Sequence, residues 1–284
     1  DVAPSRGLGD VYKRQVLFLV GARVGDRAVK TPLALEKTTK IIHIDIDPAE
    51  IGKNIGADLP LVGDAKLVLQ QMMELAKPMK HDEWIAHIKT LGGERKYVEP
   101  AKGTVNPRVF IDRLAKKMPA NVTVVADVGQ NQIWTCTEYK FRKEGRLLTS
   151  GGMGTMGYSV PAAIGAKMAD NSRATVAICG DGAFQMSFME LATAVQFGVD
   201  IKVVVMTNNR LGMVRELQTN GYHDRQTAVF LDGSPDFIKL AEAYGIPAMR
   251  VYDDATMEKG VEMLAEHKGI CLVEVVVDKD MPTL

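Results

Sequence analysis

Residues 174–184 read Ala174-Thr-Val-Ala-Ile-Cys-Gly-Asp-Gly-Ala-Phe184, an apolar, strand-like run that passes directly into Gly-Asp-Gly. A second apolar run, Ile201–Met206, follows one helix length later and is succeeded by Asn208. Continuous apolar strands separated by helix-length segments are typical of a parallel sheet that helices cover on both faces. The sequence therefore predicts an α/β fold built on a doubly wound parallel sheet.

The segments around this stretch repeat the alternation of strand and helix patterns. Strands are expected at Val122–Ala126, Ala174–Cys179, Ile201–Met206 and Ile270–Val277. Helices are expected at Asn106–Met118, Ser187–Phe197, Ser234–Gly245 and Asp254–Glu266. This alternation predicts one domain over residues 107–284, built on a sheet of five or six strands of which these four are located.

A smaller α/β block precedes this domain. Its expected elements are the strands Val16–Ala22 and Ile41–Ile46, a helix that starts after Asp47-Pro48, and a closing helix at Lys66–Leu75. We interpret residues 16–76 as part of a Rossmann-like domain, and residues 77–106, rich in Pro, Gly and charge, as a linker. Residues 1–15 show neither the helical nor the strand periodicity of apolar residues. We interpret them either as a non-native read-through or as a disordered arm.

Composition excludes several classes of function. The 284 residues hold 35 Lys and Arg against 35 Asp and Glu, and a net charge of +0 gives no electrostatic footprint for nucleic acid or an anionic membrane. No apolar run approaches the roughly 20 residues that cross a bilayer. Three cysteines without a CxxC pair and five histidines without HExxH argue against a disulfide framework or a zinc site. We expect a cytoplasmic protein with no nucleic-acid or membrane partner.

Asp181 and Asn208 form the first candidate site. They lie 27 residues apart, which allows one crossover helix and one strand, so a right-handed βαβ unit brings both to the same edge of the sheet. Carboxylate, amide and backbone carbonyl oxygens suit a hard cation, and Asp181 fits a Mg²⁺ ligand better than a direct phosphate contact. The alternative is a strand-to-helix turn in which Asp181 caps the helix, beside an ordinary Asn turn.

A third strand end also carries unusual residues. Val128-Gly-Gln-Asn131 follows the strand that ends at Ala126, and four glycines lie within the seven positions from Gly151 to Gly157. Such density indicates backbone that approaches a ligand closely or adopts positive φ. A Gly-rich connection with amide caps, and Met156 as a core residue, is the alternative.

These motifs resemble those of a known enzyme family. Gly180-Asp-Gly with Asn208-Asn209 resembles the thiamine-diphosphate fingerprint. Together with VADVGQNQIW (125–134), TSGGMGTMGYSVPAAIGA (149–166), GMVREL (212–217) and HIDIDPAEIGKN (43–54), it is similar to the acetohydroxyacid synthase (acetolactate synthase) large subunit from Val16 to Asp280. The resemblance implies that residues 16–76 end a central domain that binds FAD, and that residues from about 100 onward form the pyrophosphate-binding domain.

The resemblance also implies roles for individual residues. Asp181, Asn208 and the Arg210 carbonyl would bind Mg²⁺. The diphosphate would be lined by Val128, Gly129, Gln130, Asn131, Gly182, Ala183, Leu211 and Gly212. The carbonyl of Gly154 would accept a bond from the aminopyrimidine, Met156 would help to bend the cofactor, and Met213 would contact substrate or the thiazolium region.

Three features depart from the family pattern. Asn131 stands where His is frequent, a change that would still leave a phosphate donor. Leu217 stands where Trp is common and favours 2-ketobutyrate as second substrate, so we expect a weaker preference for that larger acceptor. The activating Glu belongs to an N-terminal domain that the partner subunit supplies and that these residues do not include. No catalytic residue is therefore assigned, and we expect negligible acetolactate formation by the 284 residues alone.

The resemblance implies decarboxylation of pyruvate and transfer of the two-carbon unit to a second 2-keto acid, in branched-chain amino-acid biosynthesis. It further implies a homodimer or tetramer formed through the active-site interface, and a small regulatory subunit. The alternatives are another thiamine-diphosphate enzyme, such as a pyruvate oxidase, 2-oxoacid decarboxylase or glyoxylate carboligase, and a non-catalytic nucleotide-binding module suggested by the incomplete glycine turn Gly21–Gly25.

Overall fold

The computed structural model describes residues 16–25, 32–91 and 97–283. The arm predicted for residues 1–15 lies outside these ranges. Contacts between Cα atoms divide the chain into two compact units that meet in sequence between residues 95 and 96, and each is described by itself. Within the described ranges, no helix combines the length and the apolar composition that crossing a membrane requires.

The first unit contains a small parallel sheet. Its elements are β1 (Val16–Val20), α1 (Pro32–Glu36), β2 (Lys40–Asp45), β3 (Leu59–Val62), α2 (Ala65–Leu75) and α3 (Asp82–Leu91). The strands pair in the order β1-β2-β3, all parallel. Four buried side chains, Val24, Leu35, Ile41 and Ile55, form its core. The two predicted strands are confirmed with their ends shifted by up to two residues.

The helix predicted after Asp47-Pro48 is wrong, because this segment forms two consecutive turns. The Asp47 side chain accepts a hydrogen bond from the N–H of Ala49 as expected of a cap. The backbone bonds that follow are i→i+3, from Glu50 N to Asp47 O and from Lys53 N to Glu50 O. Gly52 then adopts a φ of 76°, which ends any helical continuation.

The predicted helix at Lys66–Leu75 is present as α2, where the Asp64 side chain accepts bonds from the N–H groups of Lys66 and Leu67. Its apolar residues are not buried within the described part of the chain. Met73 is 75% exposed and Leu75 is 87% exposed. The apolar pattern predicted the helix correctly, but among the described residues this helix does not cover a hydrophobic core.

The second unit is built on a six-stranded sheet. Its strands are β4 (Thr123–Ala126), β5 (Arg146–Thr149), β6 (Thr175–Gly180), β7 (Lys202–Thr207), β8 (Ala248–Val251) and β9 (Cys271–Val276). Its helices are α4 (Pro107–Lys117), α5 (Gln130–Glu138), α6 (Ser159–Ala169), α7 (Asp181–Gln185), α8 (Leu191–Gln196), α9 (Gly212–Gly221), α10 (Phe237–Ala243) and α11 (Asp254–Glu266). The strand order is β5-β4-β6-β7-β9-β8, and every pair is parallel.

Alternate residues of the central strands point into two separate cores. In β6, Val176 and Ile178 join the core that includes α4, α5 and α11, whereas Ala177 and Cys179 join the core that includes α6, α7, α8 and α10. Because the side chains of a strand alternate between faces, a strand buried on both sides must be apolar throughout. This arrangement confirms the predicted doubly wound α/β fold.

The four predicted strands of this unit are confirmed to within one residue at each end. The two unpredicted strands, β5 and β8, are four-residue edge strands. Arg250 interrupts the apolar run of β8, whereas β5 begins with Arg146 and contains only two apolar residues, Leu147 and Leu148. In β8 the Arg250 Nε lies 2.8 Å from Glu274 Oε2 on the neighbouring strand, so the charge is paired across the sheet edge.

Two predicted helices begin later than expected. The helix predicted from Ser234 starts at Phe237, because the side chain of Asp236 accepts bonds from the first free N–H groups. The helix predicted at Ser187–Phe197 divides into a 3₁₀ turn, Phe188–Glu190, and α8. A bond from Glu190 N to Ser187 O, at i→i+3, marks that division.

Candidate cofactor-binding cleft

The cleft lies where the neighbouring strands β6 and β7 end. Gly180 of β6 is paired with Met206 of β7, so the residues that follow each strand emerge at one edge of the sheet. Asp181 and Asn208 both line the cleft that opens there, which encloses about 600 Å³ including its mouth. The topology thus brings the two predicted cation ligands together, as expected for a ligand site in an open parallel sheet.

The carboxyl group of Asp181 is buried, with 2% of the residue exposed. Its Oδ2 accepts bonds from the backbone N–H groups of Asn208 at 3.1 Å and Asn209 at 2.6 Å, and its Oδ1 accepts from Gly182 at 2.8 Å. Burial raises the pKa of Asp181 to about 6 against the opposing effect of these bonds. A buried carboxylate of this kind is costly unless a cation shares its site.

The strand-to-helix turn predicted as an alternative is present in part. Gly180, which has no side chain that could cap the helix, occupies the N-cap position of α7. Asp181 is the first helical residue. Its bonds to Asn208 and Asn209 reach across to the loop after β7. Asp181 therefore connects two loops in addition to starting its own helix.

The loop after β7 holds Asn208 and Arg210 in a tight turn. Asn209 has a φ of 52°, a left-handed conformation that Asn tolerates. The Asn208 side-chain oxygen accepts a bond from the N–H of Arg210 at 3.1 Å. Only one of the two lone pairs on that amide oxygen is used in this bond, so the other is free to meet a cation.

A second segment braces this loop from outside. Arg210 forms an antiparallel bridge with Phe230, and the Arg210 guanidinium lies 4.7 Å from the centre of the Phe230 ring. Its Nη1 also lies 2.8 Å from Asp232 Oδ1. The side chain of Arg210 is thus held by two residues that do not line the cleft, although Arg210 itself is a lining residue.

Glycines allow the walls of the cleft to approach one another. A Cβ on Gly182 would lie 2.7 Å from Leu211 Cδ2, and a Cβ on Gly212 would lie 1.9 Å from Gln130 Oε1. The same Gly212 position is 3.1 Å from the Asn208 Nδ2. These two glycines are therefore required by close contact rather than by backbone conformation.

The start of α5 lies against the ends of β4 and β6. Gly129, at its N-cap, has a φ of 143°, which glycine alone adopts readily. The Asn131 Nδ2 donates to the carbonyls of Asp127 at 2.8 Å and Ile178 at 3.2 Å. Both hydrogens of that amide are used within the protein, so Asn131 braces two strand ends here. Its role as a phosphate donor stays a prediction.

The cleft collects thirteen of the residues predicted for the site. They are Val128, Gly129, Gln130, Asn131, Met156, Asp181, Gly182, Ala183, Asn208, Arg210, Leu211, Gly212 and Met213. Two predicted residues do not line it. Gly154 lies in the glycine-rich loop with a φ of 65° and open space around it, and Leu217 lies on α9 with 54% of the residue exposed.

The sequence did not point to several residues that shape the cleft. Asp127 is fully buried and accepts bonds from the N–H groups of Val128, Gly157 and Ser159, which ties the glycine-rich loop to the end of β4. Its place directly after a buried strand, matching that of Asp181, could have indicated it. Trp134 lines the cleft from α5, a helix that was not predicted from the sequence.

The residues present fit a diphosphate held by a divalent cation. The helices α5 and α9 both begin at the cleft, and helix N-termini bind anions through their free N–H groups. Among the described residues there is no cluster of three or more His, Cys, Asp or Glu side chains that could hold a metal. One carboxylate, one amide and one carbonyl suit Mg²⁺, which takes its remaining ligands from phosphate and water.

Comparison with known families agrees with this geometry. Residues 127–275, more than half of the chain, match the family model of the C-terminal TPP (thiamine pyrophosphate, also called thiamine diphosphate) binding domain of thiamine pyrophosphate enzymes. Residues 10–72 match the model of the central domain of the same enzymes. The predicted resemblance is confirmed over both units.

Several curated relatives are acetolactate synthases or probable acetolactate synthases. The chain is 36% identical over 262 residues to the acetolactate synthase large subunit of Lactococcus lactis, covering 92% of this chain and 45% of that protein. It is 38% identical over 280 residues to the probable acetolactate synthase large subunit of Methanocaldococcus jannaschii, covering 94% and 47%. It is 34% identical over 280 residues to the acetolactate synthase isozyme 3 large subunit of Escherichia coli, covering 94% and 49%.

The chain thus spans about half the length of the curated relatives that it matches. The family model for the cofactor-binding domain covers the loops after β4, β6 and β7 that form the cleft. On this evidence the chain belongs to the thiamine pyrophosphate enzymes and contains their C-terminal cofactor-binding domain.

Proposed function

We propose that this chain is the C-terminal part of an acetolactate synthase large subunit. The reaction is the decarboxylation of pyruvate and the transfer of the two-carbon unit to a second 2-keto acid, pyruvate or 2-ketobutyrate, in branched-chain amino-acid biosynthesis. Support comes from relatives that are 34% to 38% identical over more than nine-tenths of the chain. The observation that carries the proposal is the meeting of Asp181 and Asn208 at one cleft.

The residues of this chain would bind the cofactor rather than begin its chemistry. Asp181, Asn208 and the carbonyl of Arg210 would hold Mg²⁺, and the first N–H groups of α5 and α9 would bind the diphosphate. Bound thiamine diphosphate would supply the carbon nucleophile and the electron sink of the decarboxylation. Met156 and Met213 give the cleft apolar walls that would exclude water near the reacting end.

The remaining parts of the proposal rest on the family. We assign residues 16–76 to a central domain that binds FAD, residues 77–106 to a linker and residues 107–284 to the pyrophosphate-binding domain. We further propose a homodimer or tetramer formed through the active-site interface, a small regulatory subunit and a cytoplasmic location. We expect negligible acetolactate formation by the 284 residues alone, because the activating Glu of the family is expected in an N-terminal domain that these residues do not include.

The binding step can be tested with the 284-residue chain itself. Trp134 lines the cleft, so its fluorescence should report on occupancy. We expect thiamine diphosphate to quench this fluorescence in the presence of Mg²⁺ and to lose that effect when the metal is chelated. Asp181→Ala should abolish the quenching, because it removes the one carboxylate of the proposed ligand set.

Asp112→Ala is the matched control, since Asp112 forms only a surface pair with Lys116 on α4. Quenching that persists without metal, or that survives Asp181→Ala, would refute the proposed binding mode. A response to nucleotide without metal, and none to thiamine diphosphate, would instead support the nucleotide-binding alternative. Another thiamine-diphosphate enzyme would show the same binding, and its choice of acceptor would separate it from an acetolactate synthase.

A further inference from the structure

A chain of side-chain hydrogen bonds leads away from the proposed cation site. The Asn208 Nδ2 donates to Gln130 Oε1 at 3.3 Å. The Gln130 Nε2 donates in turn to the Thr283 Oγ1 at 3.1 Å and to the carbonyl of Met281 at 2.9 Å. The Thr283 hydroxyl donates to Glu216 Oε2 on α9. Four side chains therefore connect the cleft to the segment 281–283.

Glu216, at the far end of this chain of hydrogen bonds, determines which group donates and which accepts in each bond. An ionised carboxylate only accepts hydrogen bonds, so Glu216 requires the Thr283 hydroxyl to donate to it, which leaves the Thr283 oxygen to accept from Gln130. The backbone carbonyl of Met281 is likewise only an acceptor. The Gln130 amide must then direct its nitrogen toward both acceptors and its oxygen toward Asn208.

The orientation of Asn208 follows from that of Gln130. A carboxamide can present either oxygen or NH₂ to a neighbour, and only the oxygen binds a cation. Because Gln130 offers Oε1, Asn208 turns its Nδ2 to Gln130 and its Oδ1 to the other side, where it also accepts from Arg210 N. The bond chain therefore selects the end of Asn208 that a cation needs.

The segment 281–283 is itself held in place by hydrogen bonds to the rest of the protein, so it can fix the orientation of Gln130. The Thr283 carbonyl accepts from Arg108 Nη2 at 2.7 Å, and the Pro282 carbonyl accepts from Trp134 Nε1 at 3.2 Å. The Thr283 N–H donates to Glu216 Oε1 at 3.1 Å. Met281 and Thr283 are 4% and 8% exposed, respectively.

We propose that Thr283 and Glu216 are positioning residues of the cation site: acting through Gln130, they orient the Asn208 carboxamide so that its oxygen faces the metal. Neither residue lines the cleft, and neither would contact cofactor or substrate. This inference rests on the proposed function of the cleft and assigns to the segment 281–283 a part in metal-dependent binding of thiamine diphosphate.

Thr283→Val tests the proposal, because it keeps the side-chain shape and removes the hydroxyl link. We expect about a fivefold loss of Mg²⁺-dependent thiamine diphosphate affinity in the 284-residue chain, the equivalent of one net hydrogen bond. Thr283→Ser should restore the affinity. Without any ligand, NMR should show faster solvent exchange of the Asn208 side-chain NH₂ group in Thr283→Val, since its acceptor is no longer held in place.

Thr193→Val is the matched control, because the Thr193 hydroxyl, on α8 and outside the cleft lining, also bonds a glutamate, Glu190. It should change neither affinity nor the Asn208 signal. Glu216→Gln, which replaces the carboxylate with a group that can also donate, should shift both readouts in the same direction as Thr283→Val. That second variant decides the matter should Thr283→Val fail to fold.

The outcomes separate this inference from the proposed function. A wild-type chain that does not bind thiamine diphosphate with Mg²⁺ refutes the proposed function and this inference with it. Wild-type binding that is matched by Thr283→Val and Glu216→Gln overturns the inference alone. An unchanged Asn208 NH₂ signal in both variants would also overturn it, whatever the affinities, because the orientation would then not depend on the bond chain.

Discussion

Individual side chains in the cleft are held by bonds that leave one group free for a ligand. The oxygens of Asp181 accept from three backbone N–H groups, yet burial still raises its pKa to about 6. The oxygen of Asn208 keeps a lone pair, and Arg210 turns its charge outward to Asp232. Hydrogen bonds from neighbouring residues therefore orient the polar atoms of the cleft so that oxygens remain available to a cation.

Leu217 gives a prediction about the second substrate. It is exposed on α9 and lies beyond the cleft lining in this chain. We expect Leu217→Trp, in the complete enzyme that contains this sequence, to increase the preference for 2-ketobutyrate over pyruvate as acceptor, because the larger ring would add an apolar wall. Competition between the two 2-keto acids measures this preference. Strong 2-ketobutyrate selectivity before substitution would contradict the role assigned to Leu217.

At the scale of elements, helix N-termini and the loops after strands do the work of the site. The helices α5 and α9 begin at the cleft, and α7 begins with Asp181 itself. The starts of these helices can lie close together because glycines occupy the points of contact between them. Gly182 faces Leu211, Leu231 and Met156, all within 3.3 Å of a Cβ at that position.

Gly182→Ala should therefore lower the free energy of unfolding by about 1–3 kcal/mol, the typical cost of an added methyl group in a packed site. Chemical denaturation followed by circular dichroism measures it. The reason is steric, since the new Cβ would lie 2.7 Å from Leu211 Cδ2.

Gly165→Ala is the control for this substitution. Gly165 lies inside α6, where a Cβ meets nothing within 4 Å, so alanine should raise the free energy of unfolding by about 0.5–1 kcal/mol through helix propensity. Equal effects of the two substitutions would contradict the close packing inferred at Gly182.

For the whole molecule, the sequence predicted the doubly wound sheet because its central strands are apolar on both faces. The short edge strands were missed, since β5 has only two consecutive apolar residues and Arg250 interrupts the apolar pattern of β8. The turn after Asp47 was mistaken for a helix, because a capping signal says nothing about the positive φ at Gly52.

The cleft was predictable where its residues follow strands directly, as Asp181 and Asn208 do. The bond chain through Gln130 was not, because Thr283 and Glu216 join it from 153 and 86 positions away in sequence, distances that no local pattern spans. Tertiary contacts of this kind become visible only once the helices α5 and α9 and the segment 281–283 are placed together.

We expect Asp181 and Asn208 to hold one divalent cation against a diphosphate, and Mn²⁺ can replace Mg²⁺ to report on this site. Electron–nuclear double resonance of the 284-residue chain with Mn²⁺ and thiamine diphosphate measures coupling between the metal and phosphorus directly. We expect a single bound Mn²⁺ coupled to phosphorus in the wild-type chain, and loss of that signal in Asp181→Ala. A bound Mn²⁺ without phosphorus coupling, or the same coupling in Asp181→Ala, would contradict the claim.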